Sequence, residues 1–201
     1  MRIRQHVNPL RADFLRIPLG PLVLRPGCPL EVELGVAEAQ FLMERAVEDP
    51  GRNYVGVEIR RDLVELSNRR FREKGLAQVQ NVFANISVDL PRLFEPGSVS
   101  RFFVNFPDPW FKQRQRKRRV VDEGLIDQLT SLLTPAGEIH VATDIFDIAL
   151  DAMAALERSC FRNLRAPWSF LRASRFGARS WRERHCEADG IKIWRLAYRL
   201  E

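Results

Sequence analysis

Short apolar runs alternate with segments of helical spacing along the chain from residue 29 onward. Runs of four to eight mostly apolar residues between turn residues are typical of buried strands, whereas apolar residues that recur every three or four positions predict amphipathic helices. The pattern predicts helices at 39–49, 61–75, 122–133 and 145–158. It predicts strands at 29–35, 53–59, 79–85, 101–106, 137–144 and 191–200.

Alternation of strands and helices at this spacing favours a doubly wound α/β fold, in which a mostly parallel sheet carries helices on both faces. A chain of 201 residues is long enough for one well-buried core and too short for two full-sized domains. Residues 1–29 are rich in Pro, Arg and Gly and are predicted to form an irregular, basic N-terminal arm. Residues 30–201 are then a single domain.

Polar residues stand at the ends of five predicted strands. Ligands of doubly wound sheets gather at the carboxyl ends of the strands, near the point where the strand order reverses. The strand ends therefore predict a binding site, to which the first five parallel strands contribute. The residues concerned are Glu33 with Gly35, Glu58, Asn85, Asp108 and Asp144.

The same strand ends indicate what kind of cofactor would fit. A carboxylate at the position of Glu58 is suited to accept both hydroxyls of a ribose. The loop Gly35-Val36-Ala37-Glu38-Ala39 lacks the glycines of a dinucleotide fingerprint, and the chain has no G-x-x-x-x-G-K-[ST] loop for a nucleoside triphosphate. We therefore expect a cofactor that contains a nucleoside and needs no phosphate.

The charge of the chain changes the picture of its partner. Thirty-two Lys and Arg residues against 26 Asp and Glu give a net charge of +6, which favours a polyanion such as a nucleic acid. In the segment "NFPDPWFKQRQRKRRVVD" two prolines restrict the backbone around Asp108. Trp110 and Phe111 offer surfaces on which a base could stack. Cations that can neutralise phosphates follow: Lys112, Arg114, Arg116, Lys117, Arg118 and Arg119.

Other classes of protein are disfavoured. Cys28, Cys160 and Cys186 are far apart, so neither a disulfide framework nor a zinc site is expected. No apolar run approaches the roughly 18 residues of a membrane span, and the first residues contain no apolar segment of a secretory signal. We expect a soluble cytoplasmic protein without a metal, and the sequence leaves a monomer and a homodimer both open.

The segment "FPDPWFKQRQRKRRVV" closely resembles the signature of the tRNA (guanine-N7)-methyltransferase family. The segments "HVNP", "VELG", "GVEIR" and "ATD" extend the resemblance over nearly the whole chain at comparable spacing. The resemblance implies a seven-stranded, Rossmann-like class I methyltransferase fold. It also implies S-adenosylmethionine as cofactor, tRNA as partner, and methylation of N7 of guanosine 46 in the tRNA variable loop.

The resemblance further implies roles for individual residues. Asp108 would be the central active-site acid and would also contact the cofactor, with Glu58 at its ribose and Asn85 near its adenine. The implied cofactor contacts are Glu33, Gly35, Glu58, Arg60, Asn85 and Asp108. The substrate contacts are Lys112 with the basic residues Arg116, Lys117, Arg118 and Arg119, followed by Asp144, Ser180 and Glu183.

The chain departs from the family pattern in its cofactor loop, where Ala37 and Ala39 stand in place of glycines. Because the rest of the site looks intact, we expect this loop to relax into ordinary helical or extended backbone angles and to retain cofactor binding. Ser180 replaces a threonine and keeps its hydroxyl, and Asn85 stands where bacterial relatives often have Asp.

The chemistry implied by the family requires little from the side chains. N7 of a neutral guanine has a free lone pair and carries no proton, so catalysis would rest on alignment, with Asp108 as an orienting acceptor. His6, His140 and His185 are predicted to be structural or RNA-contacting rather than catalytic. Two alternatives remain: a methyltransferase that acts on an exocyclic amine of a nucleic acid, and a non-catalytic RNA-binding relative with an impaired cofactor loop.

Overall fold

A computed structural model describes residues 7–108 and 122–201 of the protein. Its seven strands form one sheet in the order β3-β2-β1-β4-β5-β7-β6. The strands are β1 Leu30–Leu34, β2 Asn53–Glu58, β3 Val79–Phe83, β4 Val99–Asn105, β5 Leu133–Thr143, β6 Phe161–Asn163 and β7 Trp194–Leu200. The described helices are α1 Gln40–Glu48, α2 Arg61–Glu73, α3 Ile86–Leu93, α4 Glu123–Leu132, α5 Phe146–Glu157 and α6 Trp181–Ala188, with a short 3₁₀ turn at Ala12–Phe14.

The sheet is doubly wound, as the alternating pattern predicts. Strands β1 to β5 are parallel, and β7 runs antiparallel to both β5 and β6. The strand order reverses at β1, which pairs with β2 on one side and with β4 on the other. The carboxyl ends of β1 and β4 therefore form the crevice in which ligands of such folds bind. No helix within the two described ranges is long and apolar enough to cross a bilayer.

Three elements were not predicted from the sequence. Helix α3 contains Pro91, which reads as a helix breaker, but Asn85 caps the helix by accepting a hydrogen bond from the Ser87 amide at 3.0 Å. Strand β6 has three residues, and α6 buries Glu183 and Cys186 alone. The boundary between α4 and β5 also differs from the prediction, because β5 begins at Leu133 and its pairing with β4 is irregular before Glu138.

The core has two layers because both faces of the central strands are covered. Val32 and Leu34 of β1 belong to a large apolar cluster with residues of α4 and α5. A smaller cluster includes Leu42 of α1, Tyr54 of β2 and Phe71 of α2. All five residues of β1 are buried, which is typical of a central parallel strand.

A row of alternating charges crosses four strands of the buried sheet. Register pairs Glu31 of β1 with Arg101 of β4, Arg101 with Glu138 of β5, and Glu138 with Arg199 of β7. Glu138 accepts hydrogen bonds from Arg101 at 3.2 Å and from Arg199 at 2.7 Å. Each acid thus has a base on the adjacent strand, so the row fixes the register of the sheet from β1 to β7.

Helix α1 and the segment before α6 cover the charged row. Arg45 of α1 donates to both carboxylate oxygens of Glu31 at 3.1 Å. The ring of Phe176 lies 4.6 Å from the Arg45 guanidinium and 5.4 Å from that of Arg101, within the range of cation–π contact. Although burial raises the pKa of Glu138, hydrogen bonds from His140 and Arg199 outweigh that effect and lower it below its usual range.

We predict that Glu138→Gln destabilises the fold by about 3 kcal/mol, because it leaves arginines at the sheet without their counter-charge. Since the folded-state pKa of Glu138 is lowered, its stabilisation is complete above the ordinary glutamate pKa of about 4.3 and is lost as pH falls. The difference between wild type and variant should therefore shrink from pH 7 to pH 3. Urea denaturation at several pH values measures this difference.

The matched control is Glu201→Gln, whose carboxylate pairs with Arg162 at 2.9 Å while both side chains are more than half exposed. That pair should contribute less than about 1 kcal/mol. Equal losses from the two substitutions would contradict a special role for the buried row.

Candidate active site

A cavity of about 850 Å³ opens at the carboxyl edge of the sheet, beside the reversal point between β1 and β4. Small-molecule sites range from roughly 300 to 1,000 Å³, so the cavity is large enough for a cofactor together with part of a substrate. Every strand-end residue singled out from the sequence lines it: Glu33, Gly35, Glu58, Asn85, Asp108 and Asp144. The structure thus brings these side chains together, while their individual roles stay predictions.

Glu58 is held rigidly at the end of β2. Its Oε2 accepts a hydrogen bond from the Ala37 amide at 2.9 Å, and its Oε1 accepts from the Arg60 amide at 3.0 Å. The Arg60 guanidinium also pairs with this carboxylate at 2.8 Å. Burial lowers the pKa of Arg60, but Glu58 and Asp108 outweigh it and raise the pKa. Arg60 therefore electrostatically links the two acids.

The cofactor loop is not relaxed, and the expectation of ordinary backbone angles for it was wrong. Ala37 and Ala39 have φ values of 47° and 55°, in the left-handed region that favours glycine. Ala37 is held by a tertiary bond, because it donates its amide proton to Glu58. Ala39 is held locally: it donates to the Val36 carbonyl at 2.7 Å and is the residue that precedes α1. The loop therefore keeps the shape of a glycine loop with alanines in it.

Glu33 is buried at the floor of the cavity with one oxygen unsatisfied. Its Oε1 accepts from the Asn105 side-chain amide at 2.8 Å, and its Oε2 has no hydrogen-bond partner among the described residues. Burial raises the pKa of Glu33 to about 8; the Asn105 bond opposes this shift and the nearby charge of Glu58 reinforces it. A buried acid with a perturbed pKa and an orphaned oxygen in a cleft is typical of a ligand site.

Asn85 holds the arm, through contacts that the sequence did not predict. Its side-chain amide donates to the carbonyls of Pro9 and Phe14 at 2.9 and 3.0 Å, and its Oδ1 accepts from Ser87. Asn85 thus ties the described part of the arm to the sheet, and Val7, Pro9 and Leu10 form one wall of the cavity. Contact between Asn85 and an adenine stays a prediction.

Asp108 follows a strained turn at the end of β4. Phe106 has a φ of 50°, an outlier for a bulky residue, and donates its amide proton to the Ala142 carbonyl at 2.7 Å. Its ring packs against the small cluster of Ala142, Cys186 and Ile193. Backbone strain of this kind concentrates at functional sites, where surrounding packing holds it. The packing under Phe106 therefore holds the backbone of the turn that leads to Asp108.

The residues predicted to contact substrate fall into three groups. Asp144 and Ser180 line the cavity; Asp144 pairs with Arg182 at 2.5 Å, and the Ser180 hydroxyl caps α6 by accepting from the Glu183 amide. Glu183 lies outside this cavity, buried, and accepts from Arg195 at 2.7 Å. The last group lies outside the described residues: Lys112, Arg116, Lys117, Arg118 and Arg119.

Sequence reasoning missed several residues of the cavity. Asn105 was passed over because it reads as an ordinary strand-end amide, although its position beside the "FPDP" turn could have indicated it. Trp181 was missed together with α6. Within residues 7–108 and 122–201, no group of His, Cys, Asp or Glu is arranged to hold a metal ion.

Comparison with known proteins identifies the family. A family model described as "Putative methyltransferase" matches residues 28–196. A tRNA (guanine-N(7)-)-methyltransferase of Synechococcus sp. (strain JA-3-3Ab) is 39% identical over 200 residues, which cover 96% of this chain and 84% of that protein. The chain belongs to the tRNA (guanine-N7)-methyltransferase family. A further relative of that name from Thermosynechococcus vestitus is 33% identical, covering 98% of this chain and 94% of its own.

Solved structures show that this family member has the class I methyltransferase fold. The [4+2]-cyclase SpnF superposes with a TM-score of 0.59 at 14% identity, covering 87% of this chain and 76% of that one. A geranyl diphosphate C-methyltransferase from Streptomyces coelicolor A3(2), solved with S-adenosyl-L-homocysteine, gives 0.57 at 13% identity with the same coverages. At such identities the likeness concerns the fold alone.

We predict that replacing both Ala37 and Ala39 by glycine stabilises this methyltransferase. An alanine in the left-handed region costs about 1–2 kcal/mol per site, and glycine removes that cost. The greater conformational freedom of glycine in the unfolded chain offsets part of the stabilisation. The net increase in the free energy of unfolding should be about 1–2 kcal/mol for the double variant. Because glycine readily adopts the φ values that both alanines have in the structure, the substitutions should preserve the shape of the loop, and cofactor affinity should change less than about threefold.

The matched control for the loop is Gly35→Ala, where φ is 79° and an added Cβ would meet no atom within 4 Å. We expect this substitution to lower the free energy of unfolding by about 1–2 kcal/mol through backbone strain alone, without steric overlap. Denaturant unfolding and calorimetry with S-adenosylmethionine measure both quantities. A double-glycine variant no more stable than wild type would show that the alanines are unstrained.

We predict that Glu33→Gln stabilises the ligand-free protein while weakening its cofactor site. Because the pKa of Glu33 is raised to about 8, the folded state holds an extra proton between about pH 5 and 8, and stability falls as pH rises through that window. Glutamine does not titrate, so the variant does not lose stability in this way. The difference in the free energy of unfolding between variant and wild type should therefore grow from pH 5 to pH 8. A constant difference across that range would indicate that Glu33 titrates normally.

Proposed function

We propose that this protein transfers a methyl group from S-adenosylmethionine to N7 of guanosine 46 in the variable loop of tRNA. The proposal rests on one observation above all: a single cavity brings the ribose-type acid Glu58 and the rigid acid Asp108 together in a chain of this family. A tRNA substrate and the basic composition agree, and we infer a cytoplasmic protein from that substrate.

The residues at the cavity floor fit the proposed cofactor. Glu58 presents a fixed carboxylate for the ribose hydroxyls, and Gly35 leaves open space above the backbone. The orphaned Oε2 of Glu33 can take a hydrogen bond or pair with an ammonium group. When bound, S-adenosylmethionine supplies an electrophilic methyl group on a sulfonium. Asn85 contributes to the proposed site by holding Pro9 and Phe14 of the arm, and Pro9 lines the cavity.

The protein's part in catalysis is alignment rather than proton transfer. N7 of guanine carries no proton, so no general base is needed, and the alternative of an exocyclic amine would require one. We assign Asp108 the task of accepting hydrogen bonds from the guanine's N1–H and amine, which would orient N7. The packed and strained Phe106 keeps Asp108 in place, so little reorganisation is needed when the base arrives.

The tRNA contacts are assigned by position. We propose that Asp144 and Ser180 contact the nucleotide at the mouth of the cavity, where Arg182 adds a partly exposed positive charge. Glu183 is assigned a supporting role, because its buried pair with Arg195 anchors α6 beneath Ser180. The basic residues Lys112, Arg116, Lys117, Arg118 and Arg119 are proposed to bind phosphates of the tRNA.

The test is methyl transfer to tRNA transcripts, followed by mapping of the modified nucleoside. Wild-type protein should form N7-methylguanosine at position 46, and a transcript with adenosine at that position should remain unmethylated. Asp108→Asn should keep the fold and the melting temperature while methyl transfer at saturating substrates falls by about one to three orders of magnitude. Methylation of an exocyclic amine, or tRNA binding without transfer, would refute the proposal.

A further inference from the structure

Trp181 is a large aromatic residue displayed to solvent at the edge of the cavity. It begins α6, lines the cavity, and is 61% exposed. Burial of a large apolar side chain stabilises a protein, so an exposed indole forgoes that stabilisation. At the rim of the cavity its exposed aromatic face is available for a base to stack on.

The indole of Trp181 is held in a fixed orientation from one side. The His185 imidazole lies against it, with ring centroids 3.8 Å apart and planes 33° from parallel. His185 Nδ1 is 3.2 Å from the Trp181 carbonyl, one turn back along α6. A rigid ring loses little conformational freedom when a second ring stacks on it.

Helix α6 is itself anchored firmly, so the indole is fixed relative to the cavity. Cys186 is fully buried, Glu183 pairs with Arg195, and Arg184 pairs with Glu44 of α1 at 2.6 Å. Cys186 also packs in the cluster that supports Phe106, two residues before Asp108. The same small cluster therefore positions both the exposed indole and the acidic turn.

We propose that Trp181 stacks on the target guanine of the tRNA and stabilises the positive charge that methylation places on it. This inference rests on the proposed function. As the bond between the methyl carbon and sulfur breaks and the bond to N7 forms, the positive charge moves from the sulfonium to the purine, and no proton is exchanged. An indole face attracts a cation, and tryptophan does so best among the aromatic side chains. Trp181 therefore binds the base more tightly as the reaction proceeds.

The experiment compares single-turnover and steady-state methylation of tRNA by wild type, Trp181→Ala, Trp181→Leu and Trp181→Phe. Trp181→Ala and Trp181→Leu remove the stacking ring. Loss of one base-stacking contact should lower kcat/KM about 10- to 100-fold in both variants. Because the charge develops during the reaction, kcat should fall as well as kcat/KM. Phenylalanine, which keeps an aromatic face, should stay within about fivefold of wild type. Affinity for S-adenosylmethionine should be unchanged in all three variants.

The matched control is Trp168→Ala, because Trp168 is also 61% exposed and does not line the cavity. It should methylate tRNA like wild type. Binding of free nucleosides gives a second readout: wild type should prefer N7-methylguanosine over guanosine by tenfold or more, and Trp181→Ala should lose that preference.

Trp181→Ala matching Trp168→Ala in both assays would overturn the stacking role. Wild-type rates for Trp181→Leu would also overturn it, because they would show that an apolar side chain of any kind is sufficient at this position. A wild type that transfers no methyl group to tRNA would refute the proposed function, and the nucleoside titration would still decide whether Trp181 recognises the methylated base.

Discussion

The row of alternating charges from Glu31 through Arg101 and Glu138 to Arg199 determines how the sheet is assembled. Buried charges are tolerated only where each has a counter-charge, and here each counter-charge stands on the neighbouring strand. A one-residue slip of any strand would turn its charge into the apolar layer on the opposite face. The row thus sets the register of four neighbouring strands, and with it the positions of the strand ends that surround the cavity.

The carboxylates of the charged row and those at the carboxyl edge of the sheet differ in how well they are satisfied. In the charged row Glu138 has His140 and three arginines around it. At the carboxyl edge Glu33 keeps an orphaned oxygen, and Ala37, Ala39 and Phe106 are held at positive φ. Strain and unsatisfied groups are tolerated at a site because the remainder of the domain over-determines it. The charged row is one part of that remainder.

The sequence allowed the layout to be predicted, but not the fine geometry. Glu58, Asp108 and Asp144 could be placed because strand ends follow from local periodicity, and parallel strands end on one edge. Helix α6 could not, because it buries only Glu183 and Cys186 and so carries almost no periodic signal. The angle of Ala37 depends on a bond to Glu58, 21 residues away, so tertiary bonding overrode the local preference there. The partners of Asn85 were hidden for the same reason.

The contact between Asn85 and the arm has a consequence for the order in which the protein is completed during synthesis. Pro9 leaves the ribosome 76 residues before the side chain that holds it, and Asn85 itself is fixed only once β3 and α3 have formed. The arm around Pro9 therefore cannot dock until β3 and α3 have been made. The wall that it contributes to the cavity therefore cannot form before the elements that position Asn85.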